Sequence, residues 1–456
     1  MNYALTHVTV IDATGAAPKP GQTILIRDGR IAAVGADVPI PEDVDVVDLT
    51  GKHVIPGLAD MHVHLEDMPG DVLKLFLAAG VTTVREMAGL PFHHEWRSKI
   101  GSGLMQGPRM TIGSKIIDGS PTLWTQMPAP FWVEVADPGQ ARAQVRLAAE
   151  EGADFIKVYS RLSRESYFAI VDEAGKAGLP YAGHIPDAVP ITEAVAAGQR
   201  SFEHVHALFA ALSRNDAALL QAQADLKTEG PDHYTSWLRE IYETDWLGAN
   251  TVDPYKADRV FQSLIGGDAY FTPTLVVHEA VDQPAIVSVR DPDLKYLPQD
   301  RPALWEYITQ TMFASGRQAQ EGAERRLLFQ RRLEIVKVMD QAGVPLLAGS
   351  DTSPLTVPGF GLHREMELMA AAGIPPMRVL QAATRNAARF LGTLADLGTV
   401  EEGKLADLVV LDGDPLADIG NVRRVHSVVY GGRLITPDDR RRMLEEVEQA
   451  ARRPVA

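Results

Sequence analysis

The chain has 456 residues, a formal net charge of -16 and no cysteine. Nucleic-acid backbones are bound by dense basic faces, so this acidic balance argues against a nucleic-acid partner and favours a small-molecule or dipeptide-like substrate. Without cysteine there are no disulfides and no thiolate ligands, so a metal ion in this protein would be held by nitrogen and oxygen atoms.

No apolar run is long enough to span a membrane, and the first residues lack the basic start and apolar core of a signal peptide. We therefore expect a cytoplasmic protein without a membrane partner. We also expect it to form a homo-oligomer. A secreted protein recloned without its signal peptide would have the same sequence.

The two ends of the chain share one pattern, in which short apolar runs are separated by turns. In residues 1–55 this pattern predicts strands at 4–11, 22–27, 31–34 and 44–49. Residues 393–436 repeat the pattern, so we expect one small β-sandwich domain that is assembled from both termini. The charged tail at 437–456 is expected to be helical.

Residues 56–392 alternate short apolar runs with helical stretches, which is the pattern of βα units and a parallel sheet. The predicted strands are 57–63, 82–87, 109–117, 154–159, 180–185, 200–205, 270–277 and 345–351. Eight such units predict an α/β fold, a (β/α)₈ TIM barrel over residues 56–392. Residues 213–267 exceed an ordinary connection, so we expect a helical insertion there, near the mouth of the barrel.

Two histidines, His62 and His64, lie two residues apart in the first predicted barrel strand. Side chains on a strand alternate between its two faces, so these two imidazoles point the same way and can converge on one metal ion. The pair by itself is a weak signal, because histidines two residues apart also occur by chance.

Four more polar residues lie at or near the carboxyl ends of predicted barrel strands, where barrel enzymes have their active sites. They are Lys157, His184, His204 and Asp351. Lys157 is the most unusual of them, because it lies within an otherwise apolar strand, where an unpaired ammonium group would be costly.

Five segments together resemble the imidazolonepropionase-like branch of the amidohydrolase superfamily, and the resemblance covers nearly the whole chain. They are residues 54–64, 80–85, 156–159, 349–352 and 403–409. Each segment is a weak match alone, but their order and their spacing relative to the βα units are specific.

The resemblance implies a centre of two divalent cations, with zinc the first choice and manganese, cobalt or iron as alternatives. Its ligands would be the matching residues His62, His64, Lys157, His184, His204 and Asp351. Lys157 would bridge the cations as a carbamate (carboxylated lysine) formed from carbon dioxide. Asp351 would take a proton from a bridging hydroxide as it attacks the carbonyl carbon, and would pass that proton to the leaving nitrogen.

Five further residues are candidates for contacts with the substrate: Tyr159, Arg161, His206, His278 and His363. Tyr159 shares a strand face with Lys157, and Arg161 follows in the next loop, so a phenol and a guanidinium are available for a substrate carboxylate. The alternatives are a tyrosine at the barrel rim and a solvated loop arginine. The three histidines follow predicted strands or open the last helical region.

The resemblance favours a hydrolase that cleaves an amide or peptide bond and releases a C-terminal amino acid, as a carboxypeptidase or dipeptidase does. A cyclic amide or lactone hydrolase is the alternative. Deamination is less favoured, because deaminases of the superfamily commonly use one metal and lack the bridging lysine. An inactive scaffold is disfavoured by the presence of all six ligand positions.

Overall fold

The computed structural model describes residues 2–126, 130–288, 290–352 and 355–453. Their strands are Tyr3–Val10 (β1), Lys19–Arg27 (β2), Arg30–Gly35 (β3), Asp45–Asp48 (β4), His53–Pro56 (β5), Leu58–Val63 (β6), Val81–Glu86 (β7), Arg109–Gly119 (β8), Trp132–Val135 (β9), Phe155–Val158 (β10), Tyr181–Gly183 (β11), Ser201–Glu203 (β12), Tyr270–Thr272 (β13), Leu408–Leu411 (β14), Val425–Tyr430 (β15) and Arg433–Ile435 (β16). They form two sheets.

The central sheet is a barrel of parallel strands in the order β6-β7-β8-β10-β11-β12-β13, and β9 pairs with the far end of β8. The stretch after residue 344 closes it without forming a regular strand. Leu346 bridges to Phe271 of β13, and Thr352 bridges to Val63 of β6, both in parallel. The predicted (β/α)₈ barrel is therefore confirmed, and its eighth member is held by isolated bridges.

The second sheet is mixed and contains both ends of the chain, in the order β16-β15-β14-β5-β1-β2-β3, with β4 also paired to β1. The apolar faces of β1, β2, β14 and β15 share one buried cluster that includes Leu5, Ile24, Leu408 and Val429. The prediction of one β unit built from both termini is confirmed, and its strands are hydrogen-bonded as a single sheet.

The α-helices are Leu73–Ala78 (α1), Pro91–Gly101 (α2), Pro138–Glu150 (α3), Arg164–Ala177 (α4), Ile191–Ala197 (α5), Leu208–Leu212 (α6), Asp216–Ala224 (α7), His233–Ala249 (α8), Pro254–Gly266 (α9), Leu275–Asp282 (α10), Arg301–Tyr307 (α11), Ala319–Ala342 (α12), Phe360–Ala371 (α13), Pro376–Ala382 (α14), Arg385–Phe390 (α15) and Pro437–Ala451 (α16). Three of them, α7 to α9, lie within the stretch where the insertion was expected. Among the residues that the structure describes, none of these helices is both long enough and apolar enough to cross a bilayer.

The two sheets meet at the turn before β7. Gly80 has a left-handed backbone there (φ +82), and a Cβ atom on it would lie 2.9 Å from a methyl carbon of Val409 on β14. Only glycine meets both conditions without strain, because an L side chain is disfavoured at this φ and would also overlap a packed valine.

We expect Gly80→Ala to lower the free energy of unfolding by about 2–4 kcal/mol, since backbone strain and overpacking add. Gly178→Ala is the matched control, because Gly178 is also left-handed (φ +68) but has open space around its Cα. This control should lose about 1–2 kcal/mol from strain alone. Urea unfolding of both variants gives the comparison, and equal losses would mean that the contact with Val409 is unimportant.

Candidate active site

His62, His64 and Asp351 converge at the carboxyl end of β6. The Nε2 atom of His62 lies 3.3 Å from Nε2 of His64 and 3.1 Å from an oxygen of Asp351, and the distance from His64 to that oxygen is 3.4 Å. Within the part of the chain that the structure describes, these three side chains form one of two groups compact enough to hold a metal ion.

His184 and His204 complete the cluster from the next strands of the barrel. Their ring centres are 4.7 Å apart, and the ring of His204 is 4.8 Å from that of His62. The side chains come from the ends of β6, β11 and β12, so the parallel arrangement of the strands brings them to one end of the barrel.

A hydrogen bond to Nδ1 orients three of the histidines. The pairs are His62 with Glu203 (3.0 Å), His184 with the hydroxyl of Ser160 (2.8 Å) and His204 with the hydroxyl of Thr274 (2.6 Å). Metal-binding histidines are typically held in this way, since a partner on one ring nitrogen fixes the direction of the other. In each pair Nε2 is left available for a metal.

The surroundings of His184, His204 and Asp351 favour the protonation states that bind metals. It holds the pKa of His184 and of His204 well below the usual range, so both imidazoles are neutral. Burial opposes ionisation of Asp351, but the contact with His62 (3.1 Å) outweighs it and holds the pKa of this carboxyl below its usual range. Asp351 is therefore a carboxylate.

Lys157 on β10 is fully buried, and its Nζ atom has no hydrogen-bond partner among the described residues. Burial lowers the pKa of this amine to about 8. The shift makes the neutral amine, the form that reacts with carbon dioxide, more abundant near pH 7 than it is in an exposed lysine. The orphaned amine and the nitrogen and oxygen donors around it fit a metal centre that includes a carbamate.

Two of these residues have strained backbones. His204 (φ +67) and Asp351 (φ +50) are both in the left-handed region, which costs about 1–2 kcal/mol for a residue with a Cβ atom. Hydrogen bonds fix both conformations, since the amide of Asp351 donates to the carbonyl of His62 and that of His204 donates to the carbonyl of Thr272. The fold therefore holds these side chains in place against a local preference.

A buried ion pair supports the cluster from below. Arg85 on β7 donates to Glu203 (2.8 Å) and to the carbonyl of Met61, and both charged side chains are inaccessible to solvent. Burial alone would raise the pKa of Glu203, but Arg85 and His62 hold it below the usual range. Glu203 is therefore charged, and it fixes the ring of His62.

The second compact group consists of His64, Glu66 and Glu86. The carboxylate of Glu86 accepts hydrogen bonds from the amides of Leu65 (3.0 Å) and Ala88 (2.9 Å). These contacts hold the loop that follows His64, so Glu86 has a structural task whether or not a cation binds there.

A cavity opens onto the histidine cluster. Tyr159, His206 and His278, three of the residues predicted to contact the substrate, lie in its wall. The ring of Tyr159 packs on that of His184 at 3.8 Å, and the ring of His206 stacks on that of His204 at 4.9 Å. Their roles in binding stay predictions.

Comparison with known sequences identifies the family. The profile described as "Amidohydrolase family" matches residues 53–435. The chain belongs to the amidohydrolase family. The resemblance found in the sequence is thereby confirmed.

Curated relatives of this amidohydrolase include imidazolonepropionases. That of Thermoplasma volcanium is 35% identical over 105 residues, which cover 22% of this chain and 25% of that protein. That of Symbiobacterium thermophilum is 25% identical over 427 residues, which cover 87% of this chain and 85% of that protein. The chain therefore spans about a quarter of the first relative and most of the second.

Solved structures share the fold of this amidohydrolase. Bottromycin amidohydrolase has a TM-score of 0.73 at 22% identity and covers 99% of this chain and 91% of its own. A Xaa-Pro dipeptidase with bound methionine in the active site has a TM-score of 0.69 at 21% identity, and the match covers 96% of this chain and 100% of that chain. The ochratoxinase of A. niger has a TM-score of 0.66 at 20% identity, and the match covers 96% of each chain.

Two candidates for substrate contacts in this amidohydrolase, Arg161 and His363, are engaged by other parts of the protein in this structure. The Nη1 atom of Arg161 donates to Asp187 (2.9 Å) and its Nη2 atom donates to the carbonyl of Leu226 (2.7 Å), while its buried Nε atom has no hydrogen-bond partner among the described residues. His363 bonds to the carbonyl of Ala79, just before β7 and thus at the opposite end of the barrel. Neither lies in the described wall of the cavity.

Sequence reasoning missed Arg85 and Glu203. The signal that identified Lys157, a charged residue within an apolar strand, was present for both of them. It also missed a set of cavity residues from loops and helices, for which strand alternation gives no signal: Trp124, Tyr234, Tyr242, Asp282, Arg325 and Arg332.

We expect Thr274→Val to lower the affinity of the protein for divalent cations by roughly 10- to 100-fold, because His204 loses the hydroxyl that orients it. Competition with a chelator of known affinity measures this change. Thr309→Val is the matched control, since the buried hydroxyl of Thr309 bonds to the backbone carbonyls of Trp305 and Glu306, in the preceding helix α11. Equal cation affinity in both variants would contradict an orienting role for Thr274.

Proposed function

We propose that this amidohydrolase cleaves an amide or peptide bond with the aid of two divalent cations and releases a C-terminal amino acid. The main support is the convergence of His62, His64, His184, His204 and Asp351 at the barrel end that also contains the unpartnered amine of Lys157. A fully buried amine without a hydrogen-bond partner is destabilising in a protein interior, and a metal centre at this cluster accounts for it.

The residues divide into two groups of ligands. His62, His64 and Asp351 would hold one cation, His184 and His204 would hold the other, and Lys157 would contribute to both as a carbamate. All of these ligands offer nitrogen or oxygen, which suits zinc. When bound, such a pair of cations lowers the pKa of water and polarises the carbonyl oxygen of a substrate.

The side chain of Asp351 would transfer the proton during cleavage. Asp351 is a carboxylate in the cavity wall, so its oxygen can accept a proton from the attacking water and pass it to the leaving nitrogen. Amide nitrogen is a poor leaving group until it is protonated, and this transfer therefore completes cleavage.

The side chains of the cavity wall support an acyl amino acid as substrate. Part of this wall is aromatic, with Trp124 stacked on Tyr234 and also in contact with Tyr159, both at ring distances of 5.4 Å. Such a wall binds a flat or apolar group. The names of the structural neighbours, a dipeptidase, an amidohydrolase and an ochratoxinase, likewise support an amide or peptide bond as the target.

The function is tested by hydrolysis of N-acyl amino acids, dipeptides, cyclic amides and lactones by the zinc-loaded protein. We expect acyl amino acids or dipeptides to be cleaved, and Asp351→Asn to lower kcat on the best substrate by a factor on the order of 10² to 10⁴ with a smaller change in KM. Cleavage confined to cyclic amides or lactones would contradict release of a C-terminal amino acid. Unchanged turnover in Asp351→Asn would place the proton acceptor elsewhere.

The bridging role of Lys157 is tested by metal content. The purified protein should carry about two divalent cations per chain, and Lys157→Ala should lose most of them together with activity, because the bridge between the two ligand groups is missing. Added acetate or propionate should restore part of both, since a short carboxylate can take the place of the carbamate. Elemental analysis and a hydrolysis assay measure the two effects.

Lys404→Met is the control for this experiment. Lys404 is also largely buried, but its ammonium donates to the carbonyl of Leu394 and the hydroxyl of Thr399, at the terminal sheet. This variant should keep its metal content even if it unfolds more easily. Full metal content in Lys157→Ala would rule out the bridge.

A further inference from the structure

One side of the cavity is formed by helices that lie outside the histidine cluster. The side chains come from α8, α10 and α12, and the polar ones among them are Tyr242, Asp282, Arg325 and Arg332. The proposed reaction uses none of these four residues. Their position in the same cavity as His184, His204 and Asp351 makes them candidates for recognising the substrate.

Arg332 has a free donor in this wall. Its side chain is 5% exposed, Nη2 donates to Asp245 (2.9 Å) and Nε donates to Asp282 (3.1 Å). Nη1 is buried and has no hydrogen-bond partner in the described part of the chain. A buried charged donor that lacks a partner is destabilising, so this group is suited to a ligand that supplies an acceptor.

The two acidic neighbours fix the guanidinium rather than cover it. Asp245 also accepts from the backbone amide of Ala207 (3.0 Å), and the other oxygen of Asp282 lies 3.6 Å from Arg325. Arg325 in turn lies over the ring of Tyr242, with its guanidinium carbon 3.8 Å from the ring centre. The guanidinium group of Arg332 is therefore held in one orientation, which reduces the conformational entropy lost when a ligand binds.

Arg332, His206 and His278 lie in the wall of the same cavity as the histidine cluster. The ring of His206 is 4.9 Å from that of His204 and 5.9 Å from that of His278. A ligand that occupies this cavity is therefore placed between the histidine cluster and the helices that carry Arg332.

A substrate with a C-terminal residue has its carboxylate close to the reacting bond. The carboxyl carbon is two bonds from the scissile nitrogen, so the group that recognises it must lie in the same cavity as the ligands. Arg161, which the sequence suggested for this task, is bound to Asp187 and Leu226 outside the described cavity wall.

We propose that Arg332 binds the carboxylate of the substrate through its free Nη1 donor. This assignment rests on the proposed function, because it takes the substrate to be an acyl amino acid. A charge-assisted hydrogen bond of this kind discriminates a carboxylate from a carboxamide by roughly 10- to 100-fold.

The test compares free and amidated ligands in the metal-loaded protein. In the unmodified protein, kcat/KM for N-acetyl-L-phenylalanine should exceed that for its C-terminal amide by roughly 10- to 100-fold. Arg332→Met should remove most of this preference without changing the metal content, and Arg332→Lys should give an intermediate preference. A structural arginine would instead lower the values for both ligands equally and leave their ratio unchanged.

Calorimetry with 3-phenylpropanoate and 3-phenylpropanamide repeats the comparison without turnover. If no acyl amino acid is hydrolysed, the proposed function fails, while this measurement still decides whether Arg332 binds a carboxylate. Arg378→Met is the control. Arg378 lies on α14 and pairs with Asp340, which is on the same helix as Arg332 (α12), but Arg378 is not in the described cavity wall. A preference for the carboxylate that survives in Arg332→Met and Arg332→Lys overturns the assignment.

Discussion

The site depends on one buried ion pair inside the barrel. Arg85 bonds to the carbonyl of Met61 on β6, to Ser201 and Glu203 on β12, and to Thr272 on β13. A charge this deep requires compensation, and removal of one partner of such a pair typically costs about 3–5 kcal/mol. The pair therefore ties strands across the barrel interior, and Glu203 extends the same network to the ring of His62.

The rigidity of the site has a second source in the backbone. His204 and Asp351 are held in left-handed conformations by amide hydrogen bonds to neighbouring strands. The short hydroxyl contact from Thr274 orients His204, and that from Ser160 orients His184. Because every proposed ligand except Lys157 and His64 has a hydrogen-bond partner that the fold positions, the geometry exists before a metal arrives.

The proposed roles in chemistry and in recognition fall to different parts of the chain. The proposed ligands come from strand ends, where the barrel fixes position to within a residue. The cavity wall that faces them contains side chains of α8, α10 and α12, among them Tyr242 and Arg332. On this proposal, changes in these helices would alter the substrate specificity while the ligand cluster stays the same. Barrel enzymes commonly vary their specificity in this way.

The sequence by itself determined the eight barrel units, the β unit built from both termini, and the strand-end positions of His62, His64, Lys157, His184, His204 and Asp351. These depend on local periodicity, since alternation along a strand decides which side chains share a face. Only the tertiary structure decided that Arg161 is bound to Asp187, that His363 lies at the far end of the barrel, and that Arg332 in the cavity wall has a buried donor without a partner among the described residues. Those outcomes depend on contacts between residues distant in sequence, and no spacing in the chain encodes them.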